Sequence, residues 1–423
     1  MKDFLLNKAF LEEERWKTAI QKGLDKDICK KDLLKLTDPN HRADLYRAIR
    51  RGEYVIAPPR AEQIPKDNGE TRTVYINTNQ DRVLLSLFND LLFDVCGSLV
   101  HPACKSYRKG IGHDSVVVEA SRMISLTGGR FKGFKADLSK FFDSVGFRYI
   151  DEVFDKVEQI TGKSSVIDLL RRYYHDDRYM EKGEEKRKFQ SLKQGCSVAS
   201  FLADAVLRHI DEKMSGLSGF YVRYSDDILY IGVDATWALA LLKDELTKMD
   251  LVLNPKKVET LSPERWFKFL GYSIRGKDIS LSETRIKKFQ KEIERRTVNA
   301  GKTTPERALR SVLQFLYVGD GEFSWATQVL RTCNVQRDLD LLNAFTMDCL
   351  RAVETGRKKI GGLGYLKGGR EGCIFRGKGA DVKGNRNRTG HIQGYRSLRY
   401  MQNALRAGSS VYGTIIRTMP CAA

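Results

Sequence analysis

The stretch YVRYSDDILYI, residues 221–231, constrains this chain more than any other. Val222 and Tyr224 precede two adjacent aspartates, and Ile228, Leu229, Tyr230 and Ile231 follow them. β-Branched and aromatic residues on both sides of a short polar tip predict a β-hairpin. The tip carries Asp226 and Asp227, two carboxylates that repel each other and compete for protons unless a cation lies between them. A solvated turn is the ordinary use of aspartate. The chain holds its own comparison in YHDDRYM, where Asp176 and Asp177 stand among polar neighbours without a strand pattern, which predicts an exposed turn. The apolar flanks set Asp226 and Asp227 apart and make metal binding a competing use for them.

A length of 423 residues leaves room for two or three domains and a sizeable core. With 41% hydrophobic and 10% aromatic residues the chain is not of the disordered class. The net charge of +19 implies a polyanionic partner, nucleic acid or an acidic membrane surface. No apolar run approaches the ~20 residues of a spanning helix, so no membrane partner is expected. MKDFLLNKAFLEEERW breaks its apolar stretch with Lys8 and Glu12–Glu14, unlike a secretory leader. The cysteines are scattered without CxxC pairs and read as reduced packing residues of a cytoplasmic protein.

Along the chain, residues 1–55 read as mostly helical. IAPPRAEQIPKDNGETRTVYINT predicts a hairpin turning at Asp67-Asn68-Gly69, with Lys66 and Arg72 on its arms. DRVLLSLFNDLLFDV is an apolar helix, SYRKGIGHDS a glycine-spaced loop leading into another, and FKGFKADLSKFFDSV a strand ending in a turn. Residues 149–175 are helical, and 190–213 is a loop feeding a helix rich in small residues. After the aspartate hairpin come an amphipathic helix, TWALALLKDELTKM, and the short strands LVLNPKKVET and FKFLGYSI. Beyond Ser280 the pattern is helical and basic. From Gly356 it becomes rich in Gly, Lys and Arg with interleaved Tyr and Phe, a composition suited to phosphate contacts and base stacking as well as to a solvated linker.

A further aspartate, Asp137, ends the strand GFKADL. Joined with the doublet it offers three carboxylates on adjacent strands of one small sheet. Such a set can hold two divalent cations ~4 Å apart, which activate an attacking hydroxyl and neutralise a departing pyrophosphate. Magnesium prefers these hard oxygen donors. A basic protein with this site is expected to transfer nucleotidyl groups.

These pieces, in this order from about Ile64 to Tyr272, resemble the bacterial reverse transcriptases, related to those of group II introns and retrons. IPKDNGETRTVYINTNQDR is similar to the fingers hairpin, which implies that Lys66 and Arg72 hold the incoming triphosphate. SYRKGIGHDS resembles the following fingers loop. FKADLSKFFDSV resembles the first palm motif, with Asp137 as metal ligand and Phe142 where the family places the aromatic that blocks a ribose 2′-hydroxyl. Under a packing reading Phe142 lies in a core, and only its spacing from Asp137 separates it from Phe141. KQGCSVAS resembles the loop that packs template and nucleotide, with Gln194 and Gly195 matching. YSDD matches the Tyr-x-Asp-Asp hairpin, and the resemblance implies a metal site of Asp137, Leu138, Asp226 and Asp227. In LNPKK, Lys257 aligns with a proton donor to pyrophosphate, while Phe269, Leu270, Gly271 and Tyr272 resemble the primer grip. Two departures touch template handling: Lys193 replaces the usual proline before Gln-Gly, and Phe201 stands where many relatives carry proline.

The implied fold is α+β, a right-hand polymerase with fingers, an antiparallel palm sheet with helices, and a helical thumb. The expected regions are an N-terminal helical region 1–60, fingers and palm 61–279, thumb 280–355 and a basic C-terminal region 356–423. Paired endonuclease cysteines, the VTG of retron enzymes and the Ser-Gln of diversity-generating enzymes are not found. What remains resembles the stand-alone defence-associated enzymes of the "unknown groups", the type-two class among them. That resemblance implies a cytoplasmic RNA-directed DNA polymerase using dNTPs and two Mg2+ ions, with Mn2+ as substitute. It would copy a structured noncoding RNA into cDNA during antiphage defence. In the C-terminal region Arg370, Arg376, Lys378, Arg386 and Arg388 are expected on RNA phosphates, with Tyr365, Phe375 or Tyr395 stacking on bases. The alternatives are an intron- or retron-like enzyme with another template, an RNA-dependent RNA polymerase, and a noncatalytic RNA-binding protein on the same fold. Oligomeric state, primer and trigger are left open.

Overall fold

The computed structural model describes residues 3–25, 28–65, 69–188, 192–319, 324–355 and 395–410. They divide into two units, one drawn from Met1–Ile111 and Lys132–Leu261, the other from Gly112–Phe131 and Ser262–Ala423. The strands described in the first are β1 (Arg60–Pro65), β2 (Thr71–Ile76), β3 (Gly133–Asp137), β4 (Arg178–Glu181), β5 (Glu184–Arg187), β6 (Phe220–Tyr224), β7 (Asp227–Ile231) and β8 (Glu259–Leu261). They make two four-stranded sheets, ordered β2-β1-β4-β5 and β6-β7-β3-β8.

The fingers hairpin forms as expected, β1 running antiparallel to β2 from Arg60 opposite Ile76 to Pro65 opposite Thr71. The hairpin β4–β5 is an addition that the sequence reading did not anticipate. Its strands, RYME and EEKR, carry no apolar alternation, and β5 is exposed throughout. Asp176 and Asp177 lead into it and are not an exposed turn. Their side chains are largely covered, Asp176 held by Arg178 at 2.8 Å and Asp177 by Arg187 at 3.4 Å. The Asn79–Cys96 helix, N-capped by Thr78, buries Leu84, Leu87, Phe88, Leu91 and Leu92, which accounts for its apolar sequence. Four N-terminal helices between Phe4 and Arg50 share that core through Leu5, Leu6, Trp16, Leu33, Leu45 and Ile49. Asp3 caps the first of them at Leu6 N and also accepts from Ser164 Oγ at 2.6 Å and Ser165 N at 2.7 Å, so it ties the chain's start to the Ser165–His175 helix.

In the palm sheet, near-continuous apolar runs give β6 and β7 two covered faces, as helices pack on the sheet. Gly133 opens β3 because a Cβ there would lie 2.6 Å from the Tyr230 carbonyl. The LVLNPKKVET segment is a strand only over Glu259–Leu261, the rest turning through Asn254–Lys257.

The second unit contains β9 (Phe267–Phe269), β10 (Tyr272–Arg275) and β11 (Asp278–Leu281) in the order β11-β10-β9. A boundary at 279/280 would cut β11, whose Ile279 and Ser280 bond to Asn334 and Asp338. These strands therefore go with the helices Glu283–Arg296, Pro305–Leu313, Trp325–Thr332 and Gln336–Thr355. The expected C-terminal region 356–423 is not a separate region throughout, because part of it packs with these helices. Tyr395 is buried with its hydroxyl donating to Asn343 Oδ1 at 3.1 Å, and the Leu398–Arg406 helix packs on Trp325–Thr332 and Gln336–Thr355. Tyr395 is a core residue, not a free stacking platform. Among the described residues no helix is long and apolar enough to cross a membrane.

Candidate active site

The register of β3 against β7 sets Asp137 directly opposite Asp227, at the end of both strands. Asp226 occupies the two-residue turn between β6 and β7 with Ser225, whose φ of +57° is the left-handed value such turns require. Leu138 N donates to the Asp226 carbonyl at 3.3 Å, stitching the two carboxylate-bearing segments together. The Asn254 N–H donates to the Asp137 carbonyl at 2.7 Å and anchors the turn that carries Lys257. Lys257 Nζ then reaches Asp137 Oδ2 at 2.7 Å. The structure thus brings Asp137, Leu138, Asp226, Asp227 and Lys257 to one place.

Burial, and then repulsion from Asp226 and Asp137, pushes the Asp227 carboxyl up to about 7 against the pull of Lys257 and Lys135. Burial followed by Asp137 also raises Asp226. Burial lowers the Lys257 ammonium, but the hydrogen bond it donates to Asp137 and the charges of the three aspartates outweigh it, and the net shift is upward. Among the described residues no group of three carboxylate, imidazole or thiolate side chains is gathered closely enough to hold a metal ion by itself, so the three aspartates would need to draw in around one. The donors are hard oxygens of the kind magnesium takes while keeping water or phosphate in its other positions.

Two of the residues expected to face a nucleotide, Phe142 and Gln194, are tied to neighbouring segments by backbone hydrogen bonds. Phe141 is buried in the core while Phe142 is only half-buried, so the structure separates two rings that sequence could not. The Phe142 carbonyl accepts from Leu192 N at 2.7 Å, and the Gln194 carbonyl accepts from Tyr75 N, also at 2.7 Å. The Gln194–Gly195 loop therefore covers the open edge of β2, the strand that carries exposed Arg72. Gly195 has φ +106°, and a Cβ there would sit 2.9 Å from the Tyr75 carbonyl; glycine is required. Phe269, Leu270, Gly271 and Tyr272 form the β9–β10 turn, with Leu270 and Gly271 both at positive φ and Phe269 and Tyr272 buried. They belong to the second unit. Lys66, Arg370, Arg376, Lys378, Arg386 and Arg388, with Tyr365 and Phe375, lie outside the described residues.

Sequence reasoning missed what holds the hairpin tip. Arg223 is fully buried and clamps Asp211 with Nε at 2.8 Å and Nη2 at 2.6 Å. Its Nη1 donates to the Ser225 carbonyl at 3.0 Å and its Nη2 to the Asp204 carbonyl at 2.9 Å. Ser106 Oγ accepts from Ser225 N at 2.9 Å and donates to Asp204 Oδ1 at 2.6 Å. Burial, only partly offset by Arg223, pushes the Asp204 carboxyl up to about 6. The available signal was an arginine inside an apolar strand, with two aspartates seven residues apart in FLADAVLRHIDEK.

Residues 64–274 match the family described as "Reverse transcriptase (RNA-dependent DNA polymerase)". This chain carries a reverse transcriptase domain. The match takes in β2 to β8, the end of β1 and the β9–β10 turn. Among solved structures the reverse transcriptase is similar to apo telomerase from Candida tropicalis, at 12% identity and a TM-score of 0.47, covering 72% of this chain and 59% of that one. The same telomerase truncated from its C-terminal domain is similar at 16% identity and a TM-score of 0.40, covering 54% and 56%. The chain thus spans under two thirds of the length of these telomerases. No curated protein matches the sequence.

Proposed function

We propose that this reverse transcriptase joins deoxynucleotides on an RNA template at Asp137, Asp226 and Asp227, with two magnesium ions or manganese in their place. We further propose that the template is a structured noncoding RNA, copied into cDNA in the cytoplasm as part of antiphage defence. The observation that carries the chemistry is Asp137 opposite Asp227 in the strand register, with Asp226 in the adjoining turn. The three carboxylates and the main-chain carbonyl of Leu138 are the groups that would hold the ions. Carboxylates left reluctant to ionise by burial and mutual repulsion are what a dication relieves. When bound, such ions make the primer's 3′-hydroxyl a better nucleophile and neutralise the departing pyrophosphate.

The chain's own residues do the remainder. Lys257, beside Asp137, returns a proton to the leaving pyrophosphate. Phe142 fills the space a 2′-hydroxyl would need, and Arg72 with Lys66 holds the triphosphate. Gln194 and Gly195 shape the loop under the nucleotide, and Phe269–Tyr272 steadies the primer strand. Support for the template and defence role is the ordered motif set from Ile64 to Tyr272 together with the +19 charge.

Sequencing the nucleic acid that copurifies from the host is the test. One enriched RNA with complementary DNA is expected, the DNA vanishing in Asp227→Ala. A broad sample of cellular RNA refutes the dedicated template, and extension with NTPs alone refutes DNA synthesis. Equal phage plating on cells carrying wild type or Asp226→Ala refutes the defence role.

A further inference from the structure

Lys193 precedes Gln194–Gly195 and adopts φ +54°, a left-handed conformation that a proline ring, fixed near −65°, cannot reach. Its side chain is 6% exposed and runs beneath the loop to the C-terminal end of the Ser165–His175 helix. There Nζ donates to the Tyr173 carbonyl at 2.5 Å and the Asp176 carbonyl at 2.8 Å. Carbonyls at a helix end lack intrahelical partners and carry the negative end of the helix dipole, so a lysine amine is their natural donor. The amine also sits 4.0 Å from the centre of the Tyr173 ring and 5.9 Å from that of Tyr174. On the loop side, the Cys196 N–H donates back to the Lys193 carbonyl at 2.9 Å and closes the turn.

We propose that Lys193 is a positioning residue, a side-chain clasp that holds the Gln194–Gly195 loop in its left-handed turn against β2 and so keeps the loop ready for the incoming nucleotide. The proposal rests on the reading that this loop serves the nucleotide. A left-handed turn at a non-glycine residue persists only where its surroundings over-determine it, and two carbonyls plus two ring faces supply that here. Burial pushes the Lys193 amine down to about 8. The groups facing it are Asp176 and Asp177 from the lead into β4, each paired with an arginine, Tyr173 and Tyr174 from the helix, and Cys196 from its own loop. A neutral amine keeps two N–H donors for the two carbonyls, so the clasp survives loss of the proton. An opened loop would return the amine to its ordinary value near 10.5 and bind a proton more readily than the closed one. Closure is therefore favoured further as pH rises from about 8 towards 10.5, and is insensitive to pH below 8.

The test uses the full chain, a primed RNA template and single dNTP additions, alongside hydrogen exchange at the amides of Tyr75 and Cys196. Lys193→Met keeps the apolar stem and removes both donors. The KM for dNTP should rise about tenfold, as when only a tenth of the loops are competent, with kcat within about twofold. Exchange at both amides should quicken by a similar factor, and Lys193→Arg, which restores donors, should recover part of each. Wild-type KM and exchange in Lys193→Met overturn the proposal. So does a fall in kcat at unchanged KM. Where Lys193→Met does not fold, Lys193→Gln, which keeps a shorter donor, decides: exchange at both amides should still quicken relative to wild type, and wild-type exchange overturns the clasp. If exchange responds while wild type adds no dNTP to any primed template, the polymerase reading fails and the clasp stands.

Discussion

Replacing Arg223 with methionine should destabilise the first unit heavily and loosen the hairpin that carries Asp226. The guanidinium is fully buried and makes four hydrogen bonds, two to the Asp211 carboxylate and one each to the Ser225 and Asp204 carbonyls. Methionine matches much of its stem but leaves Asp211 buried with only the Tyr221 hydroxyl, at 2.8 Å, as a named partner. Breaking one side of a buried ion pair costs about 3–5 kcal/mol. For a unit of this size each kcal/mol moves the melting temperature by about 2–4 °C, so a fall of roughly 10 °C is expected. The assay is thermal unfolding of wild type, Arg223→Met, Asp211→Asn and the double variant. The two single effects should not add, because both break the same pair; a coupling above about 1.5 kcal/mol is expected. Primer extension, run well below the lower melting temperature, should also fall, since the Ser225 carbonyl loses its anchor beside Asp226. A melting temperature within 2–3 °C of wild type, or full additivity, would refute this account of the buried pair.

Alanine at Asp137, Asp226 or Asp227 should lower nucleotide addition by about a thousandfold, several kcal/mol of lost charge stabilisation, while RNA binding by filter retention stays intact. Substantial synthesis by Asp226→Ala with magnesium present refutes the metal assignment. Phe142→Ala or Phe142→Val should admit ribonucleotides while retaining dNTP use; unchanged discrimination in a competition assay would mean the half-buried ring merely packs. Replacing 356–394 with an uncharged Gly/Ser bridge of about eight residues should flatten the log–log dependence of RNA affinity on salt by about 3 to 4, the counterions released by five phosphate contacts to Arg370, Arg376, Lys378, Arg386 and Arg388. Superimposable salt series before and after excision would leave that segment with no part in RNA binding.

Much of the site was legible because its signals are local. The aspartate hairpin shows in β-branched flanks, the Asp137 strand in its apolar run, and the Asn79–Cys96 helix in its periodicity. Their meeting is set by the strand register, Asp137 opposite Asp227, which appears only once β3 and β7 are paired. What escaped depends on distant partners. β4 and β5 are strands because β1 offers an edge, not because EEKR prefers to be one. Arg223 and Lys193 look like surface charges until Asp211 and the carbonyl end of a helix are placed beside them. Tyr395 read as an available ring because its basic, glycine-rich surroundings hide that Asn343, far back in the chain, receives its hydroxyl.

The return of the chain at Tyr395 makes 356–394 an interchangeable insert, not a trailing end. Its two flanks, the Gln336–Thr355 helix and the Leu398–Arg406 helix, pack on one another within a single unit. Truncation at 356 would strip away a helix whose Gln402 is fully buried and donates to the Leu330 and Cys333 carbonyls, so an internal excision is the cleaner operation. From Asn343, which grips Tyr395, to Thr355 the helix rises about 18 Å, so a bridge of some 6 or more residues is needed to rejoin the flanks. Closing a longer insert costs little more, roughly 0.6 kcal/mol for each doubling of a flexible loop. The helices on either side can therefore keep the same frame whatever length of chain connects them.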